Sequence, residues 1–214
     1  GVNSSSTVSF NGVTLGTHDG GYSTFRFDVT ELVKDENKIE VKVDNSPNDF
    51  VYPERADFTF YGGIYRDVYL IETDDVHFPL LSNGGPGVKV YTQVEDGVGV
   101  LSFSSECNGD ECVLEIGGDE YHFPVINGVL EGSVRIESVH LWDGKRDPYL
   151  YPLTFSLLSK GEIRDQISLK VGFRTIEIFP DKGFYLNGRS YPLRGVSRHQ
   201  DREGKGNAID RRDM

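Results

Sequence analysis

The sequence predicts a mainly β protein, and three observations carry this prediction. Apolar and polar residues alternate along many short segments, which is the pattern of half-buried antiparallel strands. Turn residues separate these segments, and 25 Gly and 9 Pro among 214 residues suit a turn-rich β architecture better than helices. The chain is 37% hydrophobic and 12% aromatic, so it can fill a core and is not disordered.

The first series of predicted strands lies in the amino-terminal part of the chain. Thr7–Phe10 and Val13–Leu15 flank the pair Asn11-Gly12, a strong turn signal that predicts a hairpin. Lys38–Val43 alternates apolar and charged residues, and Ile64–Ile71 is a further apolar and aromatic run. We predict a strand for each of these segments.

A second series follows a predicted domain boundary after residue 74, where polarity rises and Pro and Gly residues accumulate. Its members are Val88–Val94, Val98–Phe103, Cys112–Ile116, Gly132–Ile136, Phe155–Leu158 and Ile167–Val171. These six closely spaced segments come near the seven strands expected for an immunoglobulin-like sandwich. Because the antibody pattern of Cys, Trp and Cys is absent, the sequence predicts the sandwich architecture and no more.

The last part of the chain predicts a hairpin and one further strand. Thr175–Phe179 and Phe184–Leu186 form the hairpin, and Tyr191–Ser197 the strand. Asp210 is suited to cap a helix that starts at Arg211, close to the last residue. Since a helix that barely begins is not a natural domain end, we expect a piece of a longer protein.

Charge and composition exclude several classes of partner. The formal net charge is −12 and no basic run occurs, so nucleic acid and anionic membrane surfaces are disfavoured. No apolar run is long enough to span a bilayer. The start at Gly1 has neither an initiator Met nor a signal-peptide pattern. The amino terminus therefore does not decide the location, for which we favour the cytoplasm.

Two cysteines, Cys107 and Cys112, flank a turn sequence between two strand-like runs. The spacing predicts a hairpin across which they could form a disulfide, while a pair of free thiols fits equally well. Two ligands are too few for a structural metal site, so we exclude one.

Four motifs occur in an order that identifies a family. They are Gly62–Val68, Leu141-Trp142 with Pro148–Tyr151, Val171–Arg174, and Leu193–Asp201 with Gly204–Ala208. Together they resemble the β-galactosidases of glycoside hydrolase family two over nearly the whole chain. The resemblance implies a partial sugar-binding-type jelly-roll domain (1–74) and an immunoglobulin-like domain (75–172). It implies further that 173–214 holds the opening hairpin and first strand of a truncated (β/α)8 barrel.

The resemblance also implies a reaction, the hydrolysis of terminal β-D-galactosides with retention. Such enzymes need a pair of carboxyl groups, and in this family both glutamates lie on later barrel strands. No position of this chain matches either glutamate, so we expect it to lack catalytic residues and to be inactive alone. Fragments of a β-glucuronidase or a β-mannosidase remain alternatives, as does a non-catalytic carbohydrate-binding or structural module.

Two residues are implied to bind substrate. His199 matches a histidine of the family that hydrogen-bonds the sugar. The alternative interpretation is a structural histidine that bonds a local backbone carbonyl. Asp57 matches an aspartate of the family that binds the galactosyl unit and a sodium ion. The alternative interpretation is an exposed loop aspartate. We expect no cofactor within the chain, whereas full-length relatives imply Na+ and Mg2+. The expected partners of the full-length enzyme are a β-galactoside and other copies of itself in a homo-oligomer.

Overall fold

The structure is a computed structural model that describes residues 1–51 and 56–213. Within these residues the chain is nearly all β, as predicted, with one short 3-10 helix at Thr30–Leu32. None of the described helices has the length and apolar character needed to cross a membrane. The chain divides into two compact units. The first unit is Gly1–Ile71, Asn83–Gly85 and Val196–Met214, and the second unit is Glu72–Ser82 and Pro86–Gly195.

The first unit is built around one central strand. Its strands are β1 (Val2–Asn3), β2 (Ser5–Phe10), β3 (Val13–Asp19), β4 (Ile39–Asp44) and β5 (Gly63–Ile64). Strand β2 pairs antiparallel with β3 on one side and β4 on the other, and β1 pairs with β5. Alternate β2 residues Ser6, Val8 and Phe10 are buried. The predicted hairpin and the strand at 38–43 are thus confirmed.

The strand predicted at Ile64–Ile71 is present only at its start. Gly63 and Ile64 pair with β1, and the residues that follow lie outside every strand of the described chain. Val68, Tyr69 and Leu70 are exposed. The prediction was wrong here because alternation reports which side chains favour burial, whereas a strand also needs a neighbour for its backbone hydrogen bonds.

Seven strands of the second unit form two antiparallel sheets. They are β6 (Lys89–Glu95), β7 (Val98–Glu106), β8 (Glu111–Ile116), β9 (Asp119–Pro124), β10 (Val129–Ile136), β11 (Tyr151–Ser159) and β12 (Glu162–Val171). The sheet orders are β10-β7-β6 and β12-β11-β8-β9. Strand β9 was not predicted from the sequence. The immunoglobulin-like assignment and the boundaries at 74 and 172 stay predictions.

Buried side chains from both sheets form the core of the second unit. Leu101 and Phe103 come from β7, Leu114 from β8, and Leu153 and Phe155 from β11. The Phe103 and Phe155 rings meet edge to face, with centroids 5.1 Å apart. Because such an arrangement pairs the positive edge of one ring with the negative face of the other, it adds to the stabilisation from burial.

The predicted hairpin between the two cysteines is wrong. Strands β7 and β8 lie in different sheets, so the connection crosses from one sheet to the other. Asn108 fixes this crossing, since its Oδ1 accepts from the His77 N–H at 3.0 Å and its Nδ2 donates to the Asp75 carbonyl at 2.6 Å. Asn108, one of the turn residues that suggested a hairpin, therefore forms hydrogen bonds to residues 31 and 33 positions earlier in the chain. Cys107 and Cys112 are buried, free thiols.

We expect both thiols of the native protein to resist alkylation by iodoacetamide at pH 8. Burial raises the pKa of Cys112 to about 12 and also raises the pKa of Cys107, and only the thiolate is nucleophilic. Mass spectrometry should detect no adduct on the native chain. In about 8 M urea, which unfolds the chain, both cysteines should be modified. Rapid modification of native Cys112 would contradict this expectation.

The predicted hairpin near the carboxyl-terminal end is confirmed. Strands β13 (Ile176–Phe179), β14 (Gly183–Leu186) and β15 (Arg189–Ser190) form an antiparallel sheet of the second unit. Asn187 Nδ2 donates to the Trp142 carbonyl at 3.1 Å, and Arg189 Nη2 donates to Asp143 Oδ2 at 2.6 Å. These two bonds tie the hairpin to the loop after residue 140.

The strand predicted at Tyr191–Ser197 is not observed. Within the described chain, residues 191–200 lie outside every strand, and the pairing with β14 on this side ends at Arg189 and Ser190. The physical reason is the same as for residues 65–71: the pattern is present, but no strand lies beside it. The segment predicted as the first strand of a barrel is therefore not a strand in the described chain, and the barrel itself stays a prediction.

Candidate functional site

The two residues that the sequence singled out lie side by side in the first unit. Asp57 Oδ1 is 3.8 Å from His199 Nε2, although the residues are far apart in the chain. The Asp57 side chain is 89% exposed and that of His199 51%, so both are open to a ligand. A carboxylate accepts hydrogen bonds and an imidazole donates or accepts them, which suits the hydroxyl groups of a polar ligand.

Two aromatic rings, those of Phe58 and Phe60, lie next to this pair. The ring of Phe58 meets that of His199 edge to face, with centroids 6.0 Å apart, and Phe60 lies 4.9 Å from Phe58. Apolar surfaces beside a few polar groups are typical of sites that bind small molecules. A pyranose ring presents both kinds of surface, CH groups and hydroxyls.

Tyr61 connects the segment that carries Asp57 to the loop that carries His199. Its hydroxyl donates to Asp201 Oδ2 at 3.3 Å. Gly206 packs against the same ring, where a Cβ would lie 2.9 Å from a ring carbon, and its φ is +55°. Both the space and the backbone conformation require glycine at this position. The Tyr61 carbonyl accepts a bond from Asn3 Nδ2 at 2.6 Å, which anchors it to β1.

Arg66 joins two of the motifs that the sequence singled out. Its Nη1 donates to the Asn207 carbonyl at 2.9 Å and to the Tyr65 carbonyl at 2.8 Å. The guanidinium also lies over the Tyr65 ring, 4.6 Å from the centroid. The motif at Gly62–Val68 thus holds the loop that contains Gly204–Ala208.

The Asp213 carboxylate accepts the hydrogen bonds that hold the end of this loop. This residue was not predicted from the sequence. Arg202 Nη1 donates to Oδ1 at 2.6 Å, and Lys205 Nζ donates to Oδ2 at 2.8 Å. The N–H of Asp210 donates to Oδ2 at 2.9 Å, and the side chain is 3% exposed. The hydrogen bonds from Lys205, Asp210 and Arg202 hold the pKa of the Asp213 carboxyl well below its usual range.

The helix predicted to start at Arg211 is not observed in the described residues, although Asp210 forms a hydrogen bond of the kind expected from a cap. The Asp210 Oδ1 accepts a bond from the Arg212 N–H at 2.7 Å, and its carbonyl accepts one from the Asp213 N–H at 3.1 Å. These bonds close a turn rather than a helix in the described residues.

No cluster of acidic or other strongly ligating side chains accompanies Asp57 in the described part of the chain. Among residues 1–51 and 56–213, no three His, Cys, Asp or Glu side chains gather in a group that could hold a metal ion. Hard cations bind several oxygen ligands, six or more in the case of Ca²⁺. One exposed carboxylate supplies at most two of them. The roles of Na+ and Mg2+ stay predictions, as does that of Asp57 as a ligand.

Two family models cover most of the chain. Residues 1–74 match the model for the sugar binding domain of glycosyl hydrolases family 2. Residues 74–174 match a second model, that for glycosyl hydrolases family 2. The chain belongs to glycosyl hydrolases family 2. The resemblance drawn from the four sequence motifs is therefore confirmed at the level of the family.

Relatives in family 2 carry two different names. A β-glucuronidase of Bacteroides fragilis is 35% identical, with an alignment over 98% of this chain and 33% of the relative. A β-galactosidase of Thermoanaerobacter pseudethanolicus is 33% identical, over 94% of this chain and 28% of the relative. The crystal structure of an FMN-binding β-glucuronidase from Facaelibacterium prausnitzii L2-6 aligns with a TM-score of 0.90 and 37% identity, over 99% of this chain and 34% of that one.

Two facts about this family-2 chain follow from the comparisons. It spans about a third or less of the length of these relatives. It is also similar in nearly equal measure to proteins named for two different sugars. The comparisons therefore identify the family but do not distinguish the galactosidases from the glucuronidases.

Proposed function

We propose that this chain is part of a retaining β-glycosidase and lines the pocket for the terminal sugar. The observation that carries the proposal is the 3.8 Å approach of Asp57 to His199 beside the Phe58 ring. Each residue was singled out by a different motif, and folding puts both in one exposed place. Our first candidate for the substrate is a terminal β-D-galactoside, because the segment His199–Asp201 with Gly206–Ala208 is similar to the galactosidases.

The proposed chemistry assigns binding, and not bond cleavage, to these residues. A retaining glycosidase needs a nucleophile and an acid/base about 5–5.5 Å apart, both carboxyl groups. Asp57 and His199 instead suit hydrogen bonds to sugar hydroxyls, which supply part of the transition-state stabilisation in such enzymes. The Phe58 ring would pack against the CH groups of the sugar. Na+, Mg2+ and a homo-oligomeric assembly belong to this proposal for the whole enzyme.

A β-D-glucuronide is the second candidate. It is favoured by the B. fragilis relative and the F. prausnitzii structure, which are both named β-glucuronidases. The two sugars differ in configuration at C4 and in charge at C6, where glucuronate has a carboxylate and galactose a neutral hydroxymethyl group. A cationic partner in the pocket would therefore favour the glucuronide.

The substrate is tested by assays on the enzyme that contains this chain. p-Nitrophenyl β-D-galactoside and β-D-glucuronide should be compared through kcat/KM, and NMR of the first product should show the β anomer. A strong preference for the galactoside supports the first candidate, and the reverse preference supports the second. Turnover of neither sugar nor of the p-nitrophenyl β-D-mannoside, with binding retained, would favour a non-catalytic carbohydrate-binding module and overturn the proposal.

The 214-residue chain alone should not cleave either aryl glycoside. The reason is chemical: no residue of this sequence matches the two glutamates that the family uses, and without such a pair the glycosidic bond is not broken. The assay is release of p-nitrophenol by chain purified from a host that lacks β-galactosidase and β-glucuronidase. Turnover that co-purifies with the chain through successive columns would contradict this prediction.

A further inference from the structure

The Asp213 carboxylate organises the loop that carries His199. Arg202 and Lys205 both bind it, and the Asp210 N–H adds a third donor. The Asp213 side chain is 3% exposed, because its two cationic partners, which are themselves about half exposed, cover it. Charge-assisted hydrogen bonds in such a place are stronger than exposed ion pairs.

The contacts of Asp213 bracket His199 in the sequence. The Asp213 carbonyl accepts a weak bond from Arg198 Nη2 at 3.5 Å, and its side chain accepts from Arg202 at 2.6 Å. Between Arg202 and Lys205 the loop turns, and the Arg202 and Gly206 backbones exchange two hydrogen bonds, of 3.0 and 2.9 Å. A single carboxylate therefore fixes both ends of the turn that follows His199.

The turn that Asp213 fixes also touches the Asp57 segment. Gly206 packs on the Tyr61 ring, and Asp201 accepts the Tyr61 hydroxyl at 3.3 Å. Arg66 holds the loop from the other side through the Asn207 carbonyl. The distance between His199 and Asp57 thus depends on how this loop is held.

The Asp213 carboxylate keeps its charge, and with it these contacts, near neutral pH. The folded pKa of Asp213 lies below that of an unfolded aspartate, about 3.9. Its stabilising contribution is therefore fully present above that value and is lost only as the pH falls towards the folded pKa. No titration of Asp213 disturbs the loop near neutral pH.

We propose that Asp213 is a positioning residue for the sugar pocket. By holding Arg202 and Lys205 it keeps the loop in the conformation that places His199 beside Asp57. Asp213 itself makes no contact with His199 or Asp57 in the described structure, so it acts through the loop. This inference rests on the proposed function, since it assigns Asp213 a role in that same pocket.

The test is a double-mutant cycle in the enzyme that contains this chain. D213N should lower kcat/KM for the preferred aryl glycoside about 10- to 100-fold, because a displacement of about 1 Å can cost 100-fold. In the H199Q background, the same change should lower kcat/KM less than about 3-fold, because the residue on which it acts is already gone. K205M, which removes one partner and leaves the carboxylate, should give a smaller loss in the same direction.

E203Q is the matched control, since it removes one carboxylate charge from the same loop at an exposed side chain. It should leave kcat/KM within about 2-fold of the wild type, as surface substitutions generally do. D213N within about 3-fold of the wild type, or an equal loss from D213N with and without His199, would overturn the positioning role.

Hydrogen exchange on the 214-residue chain keeps the two proposals apart. D213N should speed exchange of the Arg202 and Gly206 amides at least about 10-fold, since the turn opens locally. If the wild-type enzyme cleaves no glycoside, the proposed function fails while this readout still tests the loop. Unchanged exchange at both amides would overturn the inference whatever the enzyme does.

Discussion

Replacing Phe155 by Ala lowers the free energy of unfolding of the second unit by about 3–5 kcal/mol, the usual cost for a buried Phe. Phe155 is 0% exposed and lies on β11, the strand between β12 and β8. Its ring packs on Phe103. The substitution removes apolar surface from the shared core and leaves a cavity, and the surrounding strands relax only in part.

Urea unfolding followed by fluorescence of the single tryptophan, Trp142, measures this change, since Trp142 lies in the same unit. The matched control is Ile163→Ala on the neighbouring strand β12, whose side chain is 61% exposed. That variant should stay within about 0.5 kcal/mol of the wild type. A cost below about 1 kcal/mol for Phe155→Ala would contradict the assignment of the core to both sheets.

Replacing His199 by Gln lowers kcat/KM of the enzyme that contains this chain by about 100- to 1,000-fold. Losses of this size follow from the removal of one positioned hydrogen-bonding group that acts on the transition state. Because the His199 side chain is 51% exposed, the melting temperature should hardly change. The loss should be in kcat more than in KM, since hydrogen bonds to the sugar strengthen in the transition state.

His122 provides the matched control for this substitution. It is also an exposed histidine paired with a carboxylate, since its Nδ1 lies 2.8 Å from Glu111 Oε1 in the second unit. His122→Gln should leave kcat/KM within about 2-fold of the wild type. Equal effects of the two variants, measured as kcat/KM on the preferred aryl glycoside, would show that His199 has no special place in the enzyme.

Much of the fold follows from the sequence because local pattern and turn chemistry agree. At Ser5–Phe10 and Val13–Asp19 the alternation and the Asn11-Gly12 turn predict the same hairpin. The hairpin at Ile176–Phe179 and Gly183–Leu186 is predicted on the same grounds. In both cases the partner strand is the next one along the chain, so local signals are sufficient.

Predictions failed where the partner of a segment is distant. The turn after Cys107 looks like a hairpin in sequence, yet Asn108 bonds to Asp75 and His77, and the chain changes sheets. The runs at 65–71 and 191–197 have the pattern of strands without neighbouring strands in the described structure. Strand β9, Asp119–Pro124, was missed because its charged residues and terminal proline weaken the alternation.

The candidate site could be predicted only in part. His199 and Asp57 came from the resemblance to a family, and nothing in their spacing indicates that they meet. Asp213 carried no motif, because its partners Arg202 and Lys205 become neighbours only once the loop has turned at Gly206. Contacts across a loop of this kind depend on the whole loop conformation, which alternation and turn propensity do not encode.

The most direct test of the account is a crystal structure of the enzyme that contains this chain, with a galactose- or glucuronate-derived inhibitor bound. We expect His199 Nε2 and an Asp57 carboxylate oxygen each to lie within hydrogen-bonding distance, about 2.6–3.2 Å, of a sugar hydroxyl. The Phe58 ring should lie against the same sugar. An inhibitor bound elsewhere, with both residues beyond about 6 Å and no bridging water, would contradict the central claim.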